Sequence, residues 1–373
     1  MGDKNFPLPP VSPLIGSTFR NFIKIIKGHH VWPKYYPKLF LTALTILVTS
    51  PFRLYEKWYF TPKLDKTKIE KPVFILGHWR SGTTYLHNLM CQDPASGYVM
   101  TYQTVFPHFL ASKSIFGPFM KNVMPTKRPS DNIELSMNFP QEEELGFQNS
   151  NPNSIYNFYY FPEDISLYYD RAVHHTGLSE NAVACITRDY IKLLKKALIV
   201  SGKNRIVLKN PINTARIEFL NKNFSDAKYI HIVRNPYSVY LSARKFFSSL
   251  LPALWFHEVS QDMINSLVLE LYSRLYEDYF KQKEPIQDKL FEIRFEQLED
   301  SPLEVLHDIY LNLDIKGFEQ ALPAFRAYVS RQKDYQKNTY LISDKEIHQV
   351  DKKWGKYIKH WQYNIPSNIK VSA

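Results

Sequence analysis

The alternation of apolar and polar positions changes rhythm sharply between residues 71 and 93. Val73, Phe74, Ile75 and Leu76 form an unbroken apolar run, rich in β-branched and aromatic side chains. That is the pattern of a short strand buried on both faces. The run stops at Gly77. From Thr83 the apolar residues return at helical spacing, with Tyr85, Leu86, Leu89 and Met90 on one side. The predicted unit is a strand, a turn bracketed by Gly77 and Gly82, and a helix. The rhythm returns further on. Residues 181–200 carry a helical stripe that includes Ile186, Tyr190, Leu193 and Leu194. RIVLK at 205–209 and KYIHIV at 228–233 read as strands, with a helix over 214–223 between them. Pro236 opens the next helix, through Ser249, because a first-turn residue needs no N–H of its own. Residues 291–295 alternate as a strand, and Ser301-Pro302 starts a helix through Leu311. Helical segments near 319–330 and 345–362 close the chain. Strands alternating with helices predict an α/β fold with a central parallel β-sheet flanked by helices.

Two stretches depart from this rhythm without interrupting the sheet units. Residues 1–69 form an apolar N-terminal helical arm. Its most apolar run, Leu39 to Phe52, is shorter than the roughly 20 residues that cross a bilayer. It reads as a helix packed on the protein or lying at a membrane interface, since Lys34, Lys38, Arg53, Lys57, Trp58 and Tyr59 flank it. Residues 95–180 are rich in Tyr, Phe, Pro and Asn and show no long helical period. They form a long aromatic-rich insertion of the kind that builds ligand pockets and lids. Within it, Pro140 and Gln141 lead into Glu142, Glu143 and Glu144, a helix start with acids in its first turn. With no dividing linker and no repeat, residues 1–373 are expected to form a single domain.

Composition narrows the partners. The net charge of +11 favours anionic ones: nucleotides, nucleic acid or acidic membrane surfaces. Two cysteines, Cys91 and Cys185, can supply neither a disulfide framework nor a four-thiolate zinc site. A reducing cytoplasm suits them, and the start of the chain carries no signal-peptide pattern.

The Gly77 turn is suited to an anion, because free backbone N–H groups and the positive end of the helix dipole converge there. Its G-x-x-x-x-G spacing is that of the nucleotide P-loop, yet Thr83 stands where that loop requires Lys. The cation of the turn is Arg80, inside it. Such a P-loop-like turn holds phosphate without the signature of a magnesium-bound triphosphate. A second constellation follows the 228–233 strand. Arg234 is presented at the C-terminal edge of the sheet, and Ser242 lies two helical turns further on. A guanidinium fork and a hydroxyl form a second phosphate site.

Together these motifs resemble the two cofactor signatures of the sulfotransferase superfamily, with the closest look to its bacterial small-molecule and lipid members. Arg80-Ser81-Gly82-Thr83-Thr84 resembles the loop that binds the 5′-phosphosulfate of 3′-phosphoadenosine 5′-phosphosulfate (PAPS). Arg234 and Ser242 resemble the pair that holds its 3′-phosphate, and Leu208-Lys209-Asn210-Pro211 resembles the family's L-K-x-P element. The resemblance implies a sulfotransferase using PAPS and releasing the 3′,5′-bisphosphate (PAP), without a metal. It implies that Arg80 and Lys209 act on the leaving group. Ser81, Gly82, Thr83 and Thr84 would supply donors, Tyr85 would stack on the adenine, and Arg331, Lys333 and Lys337 would cover the 3′-phosphate.

One departure concerns the general base. Cytosolic members carry His two residues after the Lys that matches Lys209, where this chain has Pro211. Other branches carry Glu about twenty residues after the loop cation, where Gln103 stands. His78 and the trio Glu142, Glu143 and Glu144 remain, with Glu143 at the centre of the trio. The expected acceptor is a small apolar alcohol, sterol- or lipid-like, rather than nucleic acid, with peripheral membrane contact through residues 20–60. The rival readings are a small-molecule kinase of the P-loop type and a basic, non-enzymatic membrane or nucleotide binder.

Overall fold

The computed structural model describes residues 11–124, 136–332 and 340–372. The chain falls into two compact units. The first is made from residues 1–69, 98–204 and 247–260, and the second from 70–97, 205–246 and 261–373. The N-terminal arm and nearly all of the aromatic insertion thus belong to one unit, and the strand–loop–helix units to the other.

The second unit is built on a five-stranded sheet. Its strands are β1 (Val73–Leu76), β2 (Ser96–Gly97), β3 (Arg205–Lys209), β4 (Lys228–Val233) and β5 (Leu290–Arg294), in the order β2-β3-β1-β4-β5. Every pairing is parallel. β1 lies between β3 and β4 and is buried throughout, which accounts for its continuous apolar run. Register sets the functional edge. Ile75 of β1 pairs with Lys209, and Leu76 with His231. The C-terminal ends of β1, β3 and β4 therefore open on the same side, where parallel sheets bind ligands. The β1 loop leads into a helix, α4 (Thr83–Met90), that packs on β1 and β3. A long helix, Gln261–Gln282, buries Tyr272, Tyr276 and Tyr279, and Tyr272 stacks on Trp354 with ring centres 3.8 Å apart. A separate parallel pair, Tyr340–Ser343 with Ile369–Ser372, completes the described part of this unit.

β5 ends one residue earlier than its alternation predicts. The Arg294 N–H turns to the Gln297 side chain, and a short helix begins at Phe295. Phe295 is thereby released from the sheet toward its C-terminal edge. The helix predicted over 214–223 is likewise shortened. Pro211–Ala215 forms a 3-10 turn, capped by the Asn210 side chain, and the α-helix begins at Ile217.

The first unit is largely helical. α1 (Phe19–Ile26), α2 (Tyr36–Val48) and α3 (Ser50–Leu64) come from the N-terminal arm. The apolar run at 39–52 is two helices meeting at Thr49, because Pro51 suits the first turn of a new helix better than the middle of an old one. The helix Glu180–Ser201 is capped by the Ser179 hydroxyl, which accepts from the Ala182 N–H, and it closes at Gly202. Phe60, Tyr102, Phe106, Phe109 and Met120 form a core cluster in this unit. Beside it Lys196 pairs with Glu56, both almost fully buried. Burial holds the Lys196 amine down at about 8 against the opposing pull of the carboxylate. The aromatic insertion is made of short helices and 3-10 turns whose rings, from Tyr156 to Phe161, are buried against one another.

Candidate functional site

The loop between β1 and α4 is pinned at both glycines. Gly77, at φ +146°, donates its N–H to the Thr214 hydroxyl at 2.7 Å. Gly82, at φ +95°, caps α4 from a left-handed conformation that carries little penalty only for glycine. A Cβ at Gly82 would lie 2.1 Å from the ring of Phe295. Between the glycines, Arg80 also adopts a left-handed backbone, at φ +69°, a costly state for a long side chain. Buried Ser81 stabilises the loop by donating its hydroxyl to the His78 carbonyl at 2.7 Å. The backbone is thus wound tightly around the start of α4, the arrangement in which helix N–H groups face an anion.

The two sequence constellations meet. Arg80 donates its Nε–H to the Ser242 hydroxyl at 3.0 Å, and Arg234 donates from Nη1 to the Arg80 carbonyl at 3.2 Å. The Arg80 guanidinium lies 5.5 Å from the Phe246 ring centre, and that of Arg234 sits 4.4 Å from the centre of Phe295. The ring of Phe295 therefore has two neighbours at once: the backbone of Gly82 and the guanidinium of Arg234. Local pattern gave no indication of this role, nor of the support Thr214 gives to Gly77.

Lys209 ends β3 on the same edge and is 2% exposed. Its charge adds to burial in pushing the neighbouring His87 imidazole down to about 3. Thr83 is buried, and Thr84 and Tyr85 are half-buried on α4. Tyr85 lies near Tyr328, with ring centres 6.4 Å apart, and burial pushes its phenol up to about 12. The donor set of this edge, backbone N–H groups, two guanidiniums, a lysine and hydroxyls, fits a ligand with separated phosphate-type anions.

Other sequence candidates lie elsewhere. His78 is in the loop but completely buried, with Nδ1 bonded to the Trp79 carbonyl at 2.8 Å. Its ring packs 5.0 Å from Tyr272, and burial drops it to about 3. The acidic trio belongs to the first unit, where Glu142 stands at the N-terminal boundary of the helix Glu143–Gln148. Glu143 accepts from the Tyr190 hydroxyl at 3.0 Å and Glu144 from Ser154 at 2.8 Å, both fully buried, while Glu142 accepts from Tyr156. Arg331 is exposed at the end of its helix, its Nε–H returned to the Ala327 carbonyl. Lys333 and Lys337 lie outside the described residues.

A model of the sulfotransferase family matches residues 72–320. The chain is 29% identical over 320 residues to the omega-hydroxy-beta-dihydromenaquinone-9 sulfotransferase Stf3 of Mycobacterium bovis and to that of Mycobacterium tuberculosis, covering 85% of this chain and 82% of each relative. Among solved structures, sulfotransferase STF9 from Mycobacterium avium matches with a TM-score of 0.69 at 17% identity, over 94% of this chain and 91% of that one. Sulfotransferase STF1 from Mycobacterium tuberculosis H37Rv gives 0.65 at 15% identity, over 91% and 92%. Those structures share the fold, an α/β architecture around a central parallel sheet. The family match runs from the strand before Gly77 to beyond Phe295, and the chain belongs to the sulfotransferase family and is a sulfotransferase.

Proposed function

We propose that the sulfuryl donor is PAPS, held by the second unit, and that the acceptor is the hydroxyl of an apolar, lipid-like molecule. The observation that carries the donor reading is the network joining Arg80, Ser242 and Arg234, which brings the loop cation and the second cation together at one sheet edge. In this reading the loop N–H groups and Arg80 bind the 5′-phosphosulfate, Arg234 and Ser242 bind the 3′-phosphate, and Tyr85 stacks on the base. The reaction forms a bond from the acceptor oxygen to sulfur and breaks the bond from sulfur to the 5′-phosphate oxygen. Arg80 and Lys209 neutralise the charge left on that oxygen, and positioning supplies much of the rest. The lipid-like acceptor is supported by the aromatic first unit and by the similarity to relatives named for a menaquinone-derived alcohol. The two free cysteines favour a cytoplasmic location.

The donor reading is tested by thermal shift. PAP without magnesium is expected to raise the melting temperature, and ATP with magnesium to do less. Arg234→Ala should weaken PAP binding by roughly 10- to 100-fold, the loss of one charge-assisted contact set. Equal stabilisation by magnesium-ATP, or unchanged PAP affinity in Arg234→Ala, would refute it.

Glu143 is our choice for the general base. A carboxylate can accept the acceptor's proton, and the Tyr190 hydroxyl orients this one by donating to it at 3.0 Å. His78 is sealed between Trp79 and Tyr272 and too weakly basic at about 3. Turnover at saturating donor should fall by about 10²- to 10⁴-fold in Glu143→Gln. His78→Asn should retain turnover once corrected for folded fraction. The reverse pattern would move the base to His78.

A further inference from the structure

The first unit presents an apolar surface that its own core does not use. α2 buries Thr42 and Ile46 and turns Phe40, Leu44 and Val48 outward, with Phe40 67% and Val48 68% exposed. These outward positions fall at i, i+4 and i+8, one face of the helix. α3 continues the surface with Leu54 and Trp58, each 73% exposed. α1 packs on α2, and α2 on α3. The helix Lys113–Val123 meets α3 through Phe116 and Phe52, 5.0 Å apart, and exposes Ile115 and Phe119. Monomeric soluble proteins seldom leave so many large apolar side chains together in water.

The arm's own charges are nearly all positive, with Glu258 paired to Lys34 and Asp164 to His29 from outside it. Between residues 11 and 64 the sequence holds eight Lys and Arg and a single carboxylate, Glu56. That carboxylate is turned inward and 2% exposed, accepting from Lys196 and from the Ala111 N–H. Arg20, Lys24, Lys27 and Lys57 are exposed on α1 and α3. Lys63 lies 3.3 Å from the centre of the Tyr59 ring, and the ring of Tyr55 stacks near Trp58. Apolar residues at the centre, with cations and amphipathic aromatics around them, match the interfacial zone of a bilayer with anionic headgroups. Among the described residues no helix is long and apolar enough to cross a membrane. The surface therefore suits lying on a bilayer, not spanning one.

We propose that the α1–α3 face is a docking surface for an anionic lipid bilayer, with α2 and α3 immersed at headgroup depth. This inference uses none of the residues assigned to the donor and holds whether or not the donor is PAPS.

The test is sedimentation of the full chain with vesicles of phosphatidylcholine, with and without phosphatidylglycerol. The chain is expected to pellet with the anionic vesicles and to dissociate as salt is raised. Phe40→Glu combined with Trp58→Glu should weaken binding roughly tenfold or more through loss of apolar insertion. Lys24→Glu combined with Lys57→Glu should do so roughly tenfold as well, on the anionic vesicles only. All four side chains are exposed, so both variants should keep the wild-type melting temperature. Failure of the chain to pellet with anionic vesicles overturns the proposal, as does undiminished binding by both variants. A lipid-free dimer that Phe40→Glu with Trp58→Glu converts to monomer also overturns it, because the face would then be a contact between two copies.

Discussion

Replacing Lys209 by methionine should lower kcat by roughly 10²- to 10³-fold while leaving PAP affinity nearly unchanged. The expectation follows from where β3 ends. Lys209 is the last residue of a central strand and pairs in register with Ile75, two residues before the Gly77 loop. Its ammonium is held at the sheet edge by a strand on each side of its neighbours rather than by a mobile loop. At 2% exposure it is costly to keep charged, and its field already depresses His87. A cation in so low a dielectric acts strongly on charge that develops nearby. A bound bisphosphate product lacks the sulfuryl group, so its affinity should depend mainly on Arg80, Arg234 and Ser242. Methionine preserves length and apolar packing, which separates charge from volume. Single-turnover kinetics and calorimetric titration with PAP give the two numbers. A kcat within threefold of wild type would remove Lys209 from the reaction, and an equal loss in both quantities would make it a general anion-binding residue.

Gly82→Ala should be strongly damaging for a single methyl group. Two costs add. Alanine at φ +95° pays about 1–2 kcal/mol for a left-handed backbone. Its Cβ would also enter the ring of Phe295 at 2.1 Å, an overpacking that costs roughly 1–3 kcal/mol. The loss should appear in two measurements, a lower urea midpoint and weaker PAP binding, because moving Phe295 also moves the surface on which Arg234 rests. Gly82→Ala with Phe295→Leu should regain part of the stability, since leucine relieves the overlap. It should regain little of the affinity, since Arg234 then loses its aromatic support. If the double variant simply sums the two single effects, the ring does not couple the loop to Arg234.

The parts of this site that could be read from sequence are those with a local physical signature. Strands buried on both faces need apolar centres, so β1 was evident from Val73 to Leu76, β3 from Ile206 to Leu208, and β4 from the β-branched and aromatic residues of 228–233. Arg234 and Ser242 could be paired because one follows directly on the end of a buried strand and the other lies on the helix that comes next. β2 could not be found, because Ser96 and Gly97 are two small residues with no pattern. The role of Phe295 was equally hidden: it depends on contact with a glycine far away in the chain, and nothing near either residue encodes that. His78 illustrates the opposite difficulty. Its position in the loop suggested a proton acceptor, but only the packing of Trp79 and Tyr272 around it reveals a group with almost no basicity. The arm looked like one apolar helix because hydropathy has no term for Pro51, which divides it.

The discontinuous weave of the two units has a consequence for how the chain comes into being. A ribosome delivers β1 and its loop early, β3 and β4 much later, and β5 with Phe295 later still. The neighbours of β1 in the sheet are therefore made more than a hundred residues after it, so this sheet closes through long-range contacts, which form slowly. Until they do, the apolar strand Val73–Leu76 has nothing to pair with. The nascent chain must carry that exposed segment while more than a hundred further residues are added, and the C-terminal edge of the sheet becomes complete only once Phe295 has been made.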